Sequence, residues 1–74
     1  MTKITDVKML GELIRAERKR QKVTQIELAA LAGVGARFLR ELEHGKESCQ
    51  LGRTFNVLST LGISIDAVTR AHSK

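Results

Sequence analysis

Apolar positions recur every three or four residues along most of the chain, which is the spacing of amphipathic helices. In the first such segment, from Asp6 to about Lys22, the apolar positions are Val7, Leu10, Leu13 and Ile14. Thr5 or Asp6 can cap this helix. Its second half, RAERKRQK, holds five cations against the single acid Glu17. The pattern therefore predicts a helix with one strongly basic end.

The next two predicted helices are very short and meet at a glycine. Thr24 and Glu27 have the spacing of a capping box, in which each side chain accepts a hydrogen bond from the backbone of the other residue. A second helix should therefore run from Gln25 to Ala32. Gly33 then supplies the left-handed backbone conformation that ends a helix.

Two further helices complete the predicted helical part of the chain. The third begins near Gly35 or Ala36, ends before Gly45, and buries Phe38, Leu39 and Leu42. The fourth is about ten residues long and closes at Gly62. Its apolar face consists of Phe55, Val57, Leu58 and Leu61.

The pattern changes after Gly62. Residues 63–67, ISIDA, alternate apolar and polar side chains and include β-branched isoleucines, which favours a short strand. No second strand is predicted, so this one would pair with its own copy in a homodimer. A fifth short helix from Ile65 to Arg70 is the competing interpretation. The expected fold class is mainly α: four helices and a short C-terminal β-strand that pairs across the dimer.

Length and composition limit what such a chain can be. Its 74 residues contain no composition break, so residues 1–74 should form a single domain. The lone cysteine, Cys49, excludes an intrachain disulfide, and the two histidines are far apart, so no metal site and no other cofactor are expected. Without a Gly-rich phosphate loop or a nucleophile beside a base, the sequence does not indicate an enzyme.

Charge and aromatic content narrow the choice of partner. The net charge of +5 favours a polyanion. No Trp, no Tyr and only two Phe leave no stacking platform for single-stranded nucleic acid, so duplex DNA is the favoured partner. No secretory signal and no membrane-length apolar run is visible, which predicts a cytoplasmic protein without membrane binding.

The pair of short helices has the organisation of a helix-turn-helix, over about residues 24–44. In that motif the first helix crosses the phosphate backbone, and the second places its N-terminal end in the major groove of DNA. Ala29 would lie where two helices cross closely, while Val34 and Leu39 would supply the apolar contact beneath the turn.

At these residues the chain closely resembles the phage-repressor-like (XRE-type) helix-turn-helix family, over about residues 7–63. The family pattern is present as Thr24-Gln25, Glu27-Leu28-Ala29, Gly33-Val34, Phe38-Leu39 and Glu43-His44-Gly45. More narrowly, GVGARFLRELEHGK, the helix end VLSTLGI and the alternating tail resemble the HipB-like branch of the family. This resemblance implies a dimeric antitoxin that represses its own operon and binds a HipA-like serine/threonine kinase toxin.

The resemblance also implies roles for individual residues. The residues that would face DNA bases are Ala36, Arg37, Arg40 and Glu41. Those that would contact phosphates are Gln25, Gly35, Lys46 and Arg53. Arg18 and Glu43 match the family's structural ion pair.

Among the base-facing residues, Arg37 is the first choice for readout because a guanidinium group can bridge guanine O6 and N7. Arg40 could contact phosphate instead. Phosphate would repel Glu41, so this carboxylate should accept from a cytosine amino group, pair with an arginine, or face away.

The predicted dimerisation region, at about residues 52–70, combines the fourth helix with the strand. Its interface residues would be Leu58, Leu61, Ile63 and Ile65. HipB-like proteins often carry a longer C-terminal tail than the residues that follow the strand here, so a third small subunit is a further candidate for neutralising the kinase. Two alternatives stay open: a solitary XRE-type regulator without a toxin, and a helical adaptor that binds protein or RNA.

Overall fold

The computed structural model describes residues 3–70. Its four α-helices are α1 Val7–Arg20, α2 Gln25–Ala32, α3 Ala36–Glu43 and α4 Leu51–Leu61. The four predicted helices are therefore confirmed, although α1 ends at Arg20 rather than at Lys22. None of the helices in this part of the chain has the length and apolarity needed to span a membrane.

Side chains cap the first two helices where they begin. The Asp6 carboxylate accepts the Met9 backbone N–H at 2.8 Å. At the start of α2 the Thr24 hydroxyl accepts the Glu27 N–H at 3.1 Å, and the Glu27 carboxylate accepts the Thr24 N–H at 2.9 Å. The predicted capping box is therefore present. It lowers the pKa of Glu27, mainly because the charged form accepts the Thr24 backbone N–H.

All four helices end in the same hydrogen-bonded turn. In each, the N–H of a residue with positive φ binds a carbonyl three residues back, and the next N–H binds a carbonyl five residues back. These residues have φ between 60° and 81° and are Lys22, Gly33, Gly45 and Gly62. Three are glycines, which adopt this conformation without a steric penalty. The helix stops predicted at these three glycines are confirmed.

The core lies where the four helices meet. α3 packs against α1 and α2, while α4 packs against α2 and α1. The most deeply buried side chains are Ile14, Leu28, Leu39, Leu42 and Val57. Phe55 was expected on the buried face of α4, but it is 47% exposed. At about 100° per residue it lies roughly 110° from the centre of the stripe that α4 buries.

The tail after α4 has no regular secondary structure over residues 63–69. Ile63 packs partly against the core, whereas Ile65 is exposed. The fifth helix from Ile65 to Arg70 is therefore wrong, while a strand shared with a second copy stays a prediction. Leu58 and Leu61, which were expected in the dimer interface, are buried in the core of the chain itself, and their place in a dimer interface stays a prediction.

A close crossing of α1 and α3 occurs at Gly11, a residue that the hydrophobic pattern does not single out. A Cβ atom at this position would lie 2.4 Å from the Leu42 carbonyl oxygen and 2.8 Å from that of Glu43. Both oxygens belong to the backbone of α3 and cannot rotate aside as a side chain would. The crossing therefore requires glycine.

Gly11→Ala should lower the free energy of unfolding by about 2–3 kcal/mol, because the added methyl group must push the two helices apart. Gly52→Ala is the matched control, since Gly52 also lies in a helix but has open space around its Cβ position. The control should raise stability by about 0.5–1 kcal/mol. Urea unfolding followed by circular dichroism measures both, and equal effects of the two substitutions would contradict the close crossing.

Candidate nucleic-acid interface

α2 and α3 form a tightly packed helix-turn-helix whose turn consists of residues 33–35. The Val34 N–H binds the Ala29 carbonyl at 2.9 Å, and the Val34 side chain packs against the core. Ala29 and Leu39 are both buried. The packing of Val34 and the burial of Leu39 confirm the predicted apolar contact beneath the turn, while the close helix crossing at Ala29 stays a prediction.

The N-terminal end of α3 is accessible. Gly35 is the N-cap residue of α3 and has no side chain. It therefore offers no acceptor to the first backbone N–H groups of the helix. Ala36, Arg37 and Arg40 are exposed, and Glu41 is half-buried. Free N–H groups and the positive end of the helix dipole favour an anion. This end of α3 is therefore suited to phosphate groups and to the polar edges of base pairs.

Arg18 and Glu43 form a buried bidentate ion pair between α1 and the end of α3. The Arg18 Nε donates to Glu43 Oε2 at 2.7 Å, and Nη2 donates to Oε1 at 3.1 Å. Their side chains are only 9% and 0% exposed. Arg18 Nη1 also donates to the Val23 carbonyl at 2.9 Å, in the turn after α1. The predicted pair is present, and it joins three parts of the chain.

Gln25, a predicted phosphate contact, is attached to this ion pair. Its Nε2 donates to Glu43 Oε1 at 3.0 Å, and the residue is half-buried at the start of α2. An amide NH₂ group has two protons, so one of them is still available to a phosphate. The hydrogen bond to Glu43 thus holds the Gln25 amide group beside α3.

Arg37, Glu41 and Lys46 form a charged cluster on the outer face of α3. The Arg37 Nε lies 3.3 Å from Glu41 Oε2, and the Lys46 Nζ lies 3.3 Å from Oε1. The hydrogen bond from Lys46, followed by that from Arg37, lowers the pKa of the Glu41 carboxyl group. Of the three roles predicted for Glu41, pairing with an arginine is the one found in the free chain.

Arg40 lies on another face of α3, where it lines an open cleft between α1 and α3 together with Lys8, Glu12 and Arg15. Arg40, Lys8 and Arg15 are cations of this cleft, and none of the three has an ion-pair partner among the described residues. This placement favours the alternative role of Arg40 as a phosphate contact. Lys8 and Arg15 were not predicted for the interface. Their spacing of two helical turns, which places both on one face of α1, is the sequence feature that could have indicated them.

Two other residues can be placed from their surroundings. Arg53 is exposed in the first turn of α4. Burial raises the pKa of the half-buried Cys49 thiol, so the thiol is protonated and poorly nucleophilic. Over residues 3–70, no group of three or more side chains could hold a metal ion.

These features define the class of the protein as a helix-turn-helix domain with an exposed, cationic second helix. Residues 14–68 match the family model described as helix-turn-helix. Over 57 residues the chain is 53% identical to the uncharacterised HTH-type transcriptional regulator y4mF of Sinorhizobium fredii (strain NBRC 101917 / NGR234), which covers 77% of this chain and 75% of that protein. The chain belongs to the XRE-type helix-turn-helix family of transcriptional regulators.

Other known proteins are similar to this chain in sequence or in fold. The immunity repressor protein of Bacillus phage phi105 is 32% identical over 59 residues, which are 80% of this chain and 41% of that protein. The fold matches a chain of the HipA-HipB-O2-O3 complex with a TM-score of 0.86 at 23% identity, covering 95% of this chain and 99% of that one. The HipB-O4 20mer complex gives a TM-score of 0.85 at 23% identity with the same coverage, 95% and 99%. These structural matches establish a HipB-like fold.

Glu43→Leu should lower the free energy of unfolding by about 3–5 kcal/mol, since it leaves the Arg18 guanidinium buried without a counter-ion. The milder variant Glu43→Gln should lose less, because its amide oxygen can still accept from Arg18. Arg18→Met combined with Glu43→Leu should recover much of the loss. Chemical and thermal unfolding measure all three variants. A loss below about 1 kcal/mol for Glu43→Leu, as in an exposed pair, would contradict the structural role.

Proposed function

We propose that this chain is a sequence-specific repressor that binds double-stranded DNA and acts as a HipB-like antitoxin, autoregulating a toxin-antitoxin operon. The observation that carries the DNA-binding part is the placement of Arg37. Its side chain is 81% exposed in the first turn of α3, while the other end of α3 is anchored by the buried Arg18–Glu43 pair. An accessible cation on a firmly held helix suits readout of the major groove.

Arg37 is the residue that we propose for direct base readout. Its contact with Glu41 is made by Nε, which leaves the terminal nitrogens for O6 and N7 of a guanine. Ala36 precedes it at the start of α3 and offers a methyl group to a thymine methyl. Arg40 would contact a phosphate or a base from the neighbouring face of the helix.

Contacts with phosphates would surround the proposed base contact of Arg37. The proposed donors are the second Gln25 amide proton, the Gly35 backbone at the start of α3, and the side chains of Lys46 and Arg53. Gln25 begins α2, Gly35 precedes α3, Lys46 follows α3 and Arg53 lies in the first turn of α4. The four donors therefore belong to different elements of the fold. Such contacts supply affinity and fix the register of the protein on DNA, but they carry little sequence information.

A homodimer would increase the number of base pairs read, with its two α3 helices about 34–36 Å apart. An apolar groove between α1, α4 and the tail supports this proposal. The exposed apolar side chains that line it are Leu51, Phe55, Ile65 and Val68. These side chains could meet a second copy directly, whereas Leu61 and Leu58, which also lines the groove, are almost fully buried within their own chain.

The proposed protein partner is a HipA-like serine/threonine kinase toxin. Support comes from the HipB-like sequence pattern and from the match of the fold to a chain of the HipA-HipB-O2-O3 complex over 95% of this chain. A third small subunit would complete the complex if this chain does not neutralise the kinase by itself. A solitary regulator of the same family is the competing proposal.

Arg37→Ala should reduce discrimination between a cognate and a random duplex, because a bidentate base contact contributes about 1–3 kcal/mol to the choice of base. Lys46→Ala should weaken binding to both duplexes alike and make the slope of log affinity against log salt shallower by about 1. The cognate duplex can be selected from a random library, and fluorescence anisotropy then measures each affinity.

Lys19→Ala is the control for these two variants, because Lys19 is an exposed cation on α1 outside the helix-turn-helix. It should change either affinity by less than about twofold. Equal losses on the two duplexes from Arg37→Ala would contradict its role in base readout. If the unmodified chain selects no duplex from the library, the adaptor interpretation is favoured instead.

Affinity purification of the tagged chain from its native host at low salt should recover two copies of the chain with a HipA-like kinase. Native mass spectrometry counts the copies and shows whether a third small subunit is present. A dimer recovered with DNA fragments alone would favour a solitary repressor. A monomer at micromolar concentration would contradict the proposed dimer.

A further inference from the structure

The charged cluster of Arg37, Glu41 and Lys46 places a carboxylate in the middle of the proposed DNA-binding face. Glu41 lies 3.3 Å from a nitrogen of each cation. A carboxylate near a duplex is repelled by the phosphates, so a residue that only repelled DNA would weaken all binding. Glu41 differs from such a residue because it also holds the two side chains proposed for base readout and for a phosphate contact.

We propose that Glu41 is a specificity-determining residue: it pairs with Arg37 and Lys46 in the free chain, and its pairing with Arg37 penalises binding to non-cognate DNA. This inference rests on the proposed function, since it assumes that α3 enters the major groove. It assigns Glu41 a role other than direct contact with a base.

On random DNA, Arg37 and Lys46 can bind phosphate oxygens but find no matching base. On any duplex, phosphate oxygens must compete with the Glu41 carboxylate for Lys46, and on random DNA they must compete with it for Arg37 as well. Both ion pairs lie on exposed surface, with the Lys46 side chain 48% exposed, so each is weak and can be exchanged. Glu41 thus reduces the positive charge that is available to the phosphates of random DNA. A ligand that binds the two cations more strongly can still displace the carboxylate.

On cognate DNA, Arg37 need not leave Glu41. The guanidinium group is planar and carries donors on more than one edge. Glu41 holds the Nε edge from one helical turn further along α3, and the terminal nitrogens can still bridge O6 and N7 of a guanine. The same contact that competes with phosphate therefore keeps Arg37 ready for a base.

The test is Glu41→Gln, which removes the charge but keeps an oxygen that can accept from Arg37. Affinity for a random duplex should rise about tenfold, and its salt dependence should steepen by about one phosphate contact. Affinity for the duplex selected by the unmodified chain should change less than about threefold, because Arg37 keeps its base contact. The ratio of the two affinities should therefore fall at least about threefold.

Glu17→Gln is the matched control. Glu17 also accepts hydrogen bonds from two side chains, Arg20 and Gln21, but it lies on α1 outside the helix-turn-helix. Those bonds, first from Arg20 and then from Gln21, lower the pKa of Glu17 to about 2. Removing this charge should change neither affinity by more than about twofold.

Three results of Glu41→Gln would overturn the inference. A loss on the selected duplex without a gain on random DNA would make Glu41 a base-reading residue. Equal gains on both duplexes would make it a general repulsive charge, and no change on either would make it a surface ion pair without a role in binding. The unmodified chain is measured first: its failure to bind any duplex would refute the proposed function itself, whereas these three results leave that function standing.

Discussion

The buried pair of Arg18 and Glu43 is the interaction on which the helix-turn-helix depends. α2 and α3 have only eight residues each, fewer than a helix needs to be stable by itself in water. One carboxylate, at the last turn of α3, accepts from Arg18 on α1 and from Gln25 at the start of α2. Arg18 also donates to the Val23 carbonyl just before α2. The pair therefore ties the beginning of α2 to the end of α3 and both to α1.

The ion pair fixes the relative orientation of the helices more than it adds to the apolar surface that they bury. The apolar side chains of all four helices meet in the core, and apolar contacts tolerate small rotations of a helix because they have no preferred direction. A bidentate pair is satisfied in few relative orientations, and an unpaired buried charge would be costly. The consequence reaches the surface, because the spacing between the Gln25 donor and the start of α3 is set before any ligand arrives.

Those parts of the fold that depend on local chemistry could be predicted from the sequence. The capping box of Thr24 and Glu27 needs only a spacing of three residues, and the glycine helix stops need only the missing Cβ atom. The Arg18–Glu43 pair joins residues far apart in the sequence, so its prediction required the family resemblance. Gly11 was missed because its role depends on the distance between two helix backbones, which no local pattern encodes. The exposure of Phe55 was missed because all the apolar residues of the predicted fourth helix were assigned to one face, although single apolar residues are common on protein surfaces.

For the site, the family resemblance placed Arg37, Arg40 and Glu41 on the DNA-facing part of α3, but it could not give their neighbours. Those neighbours come from other elements: Lys46 follows α3, while the α1 cations line the cleft that Arg40 enters. The result is an uneven distribution of charge, with paired cations on one side of α3 and unpaired ones on the other. A uniformly basic surface would bind any duplex. If α3 enters the major groove, unpaired cations would supply affinity for phosphates, whereas the paired Arg37 would bind a guanine with its terminal nitrogens while Glu41 keeps its Nε edge. Affinity and discrimination would then reside on different faces of one short helix.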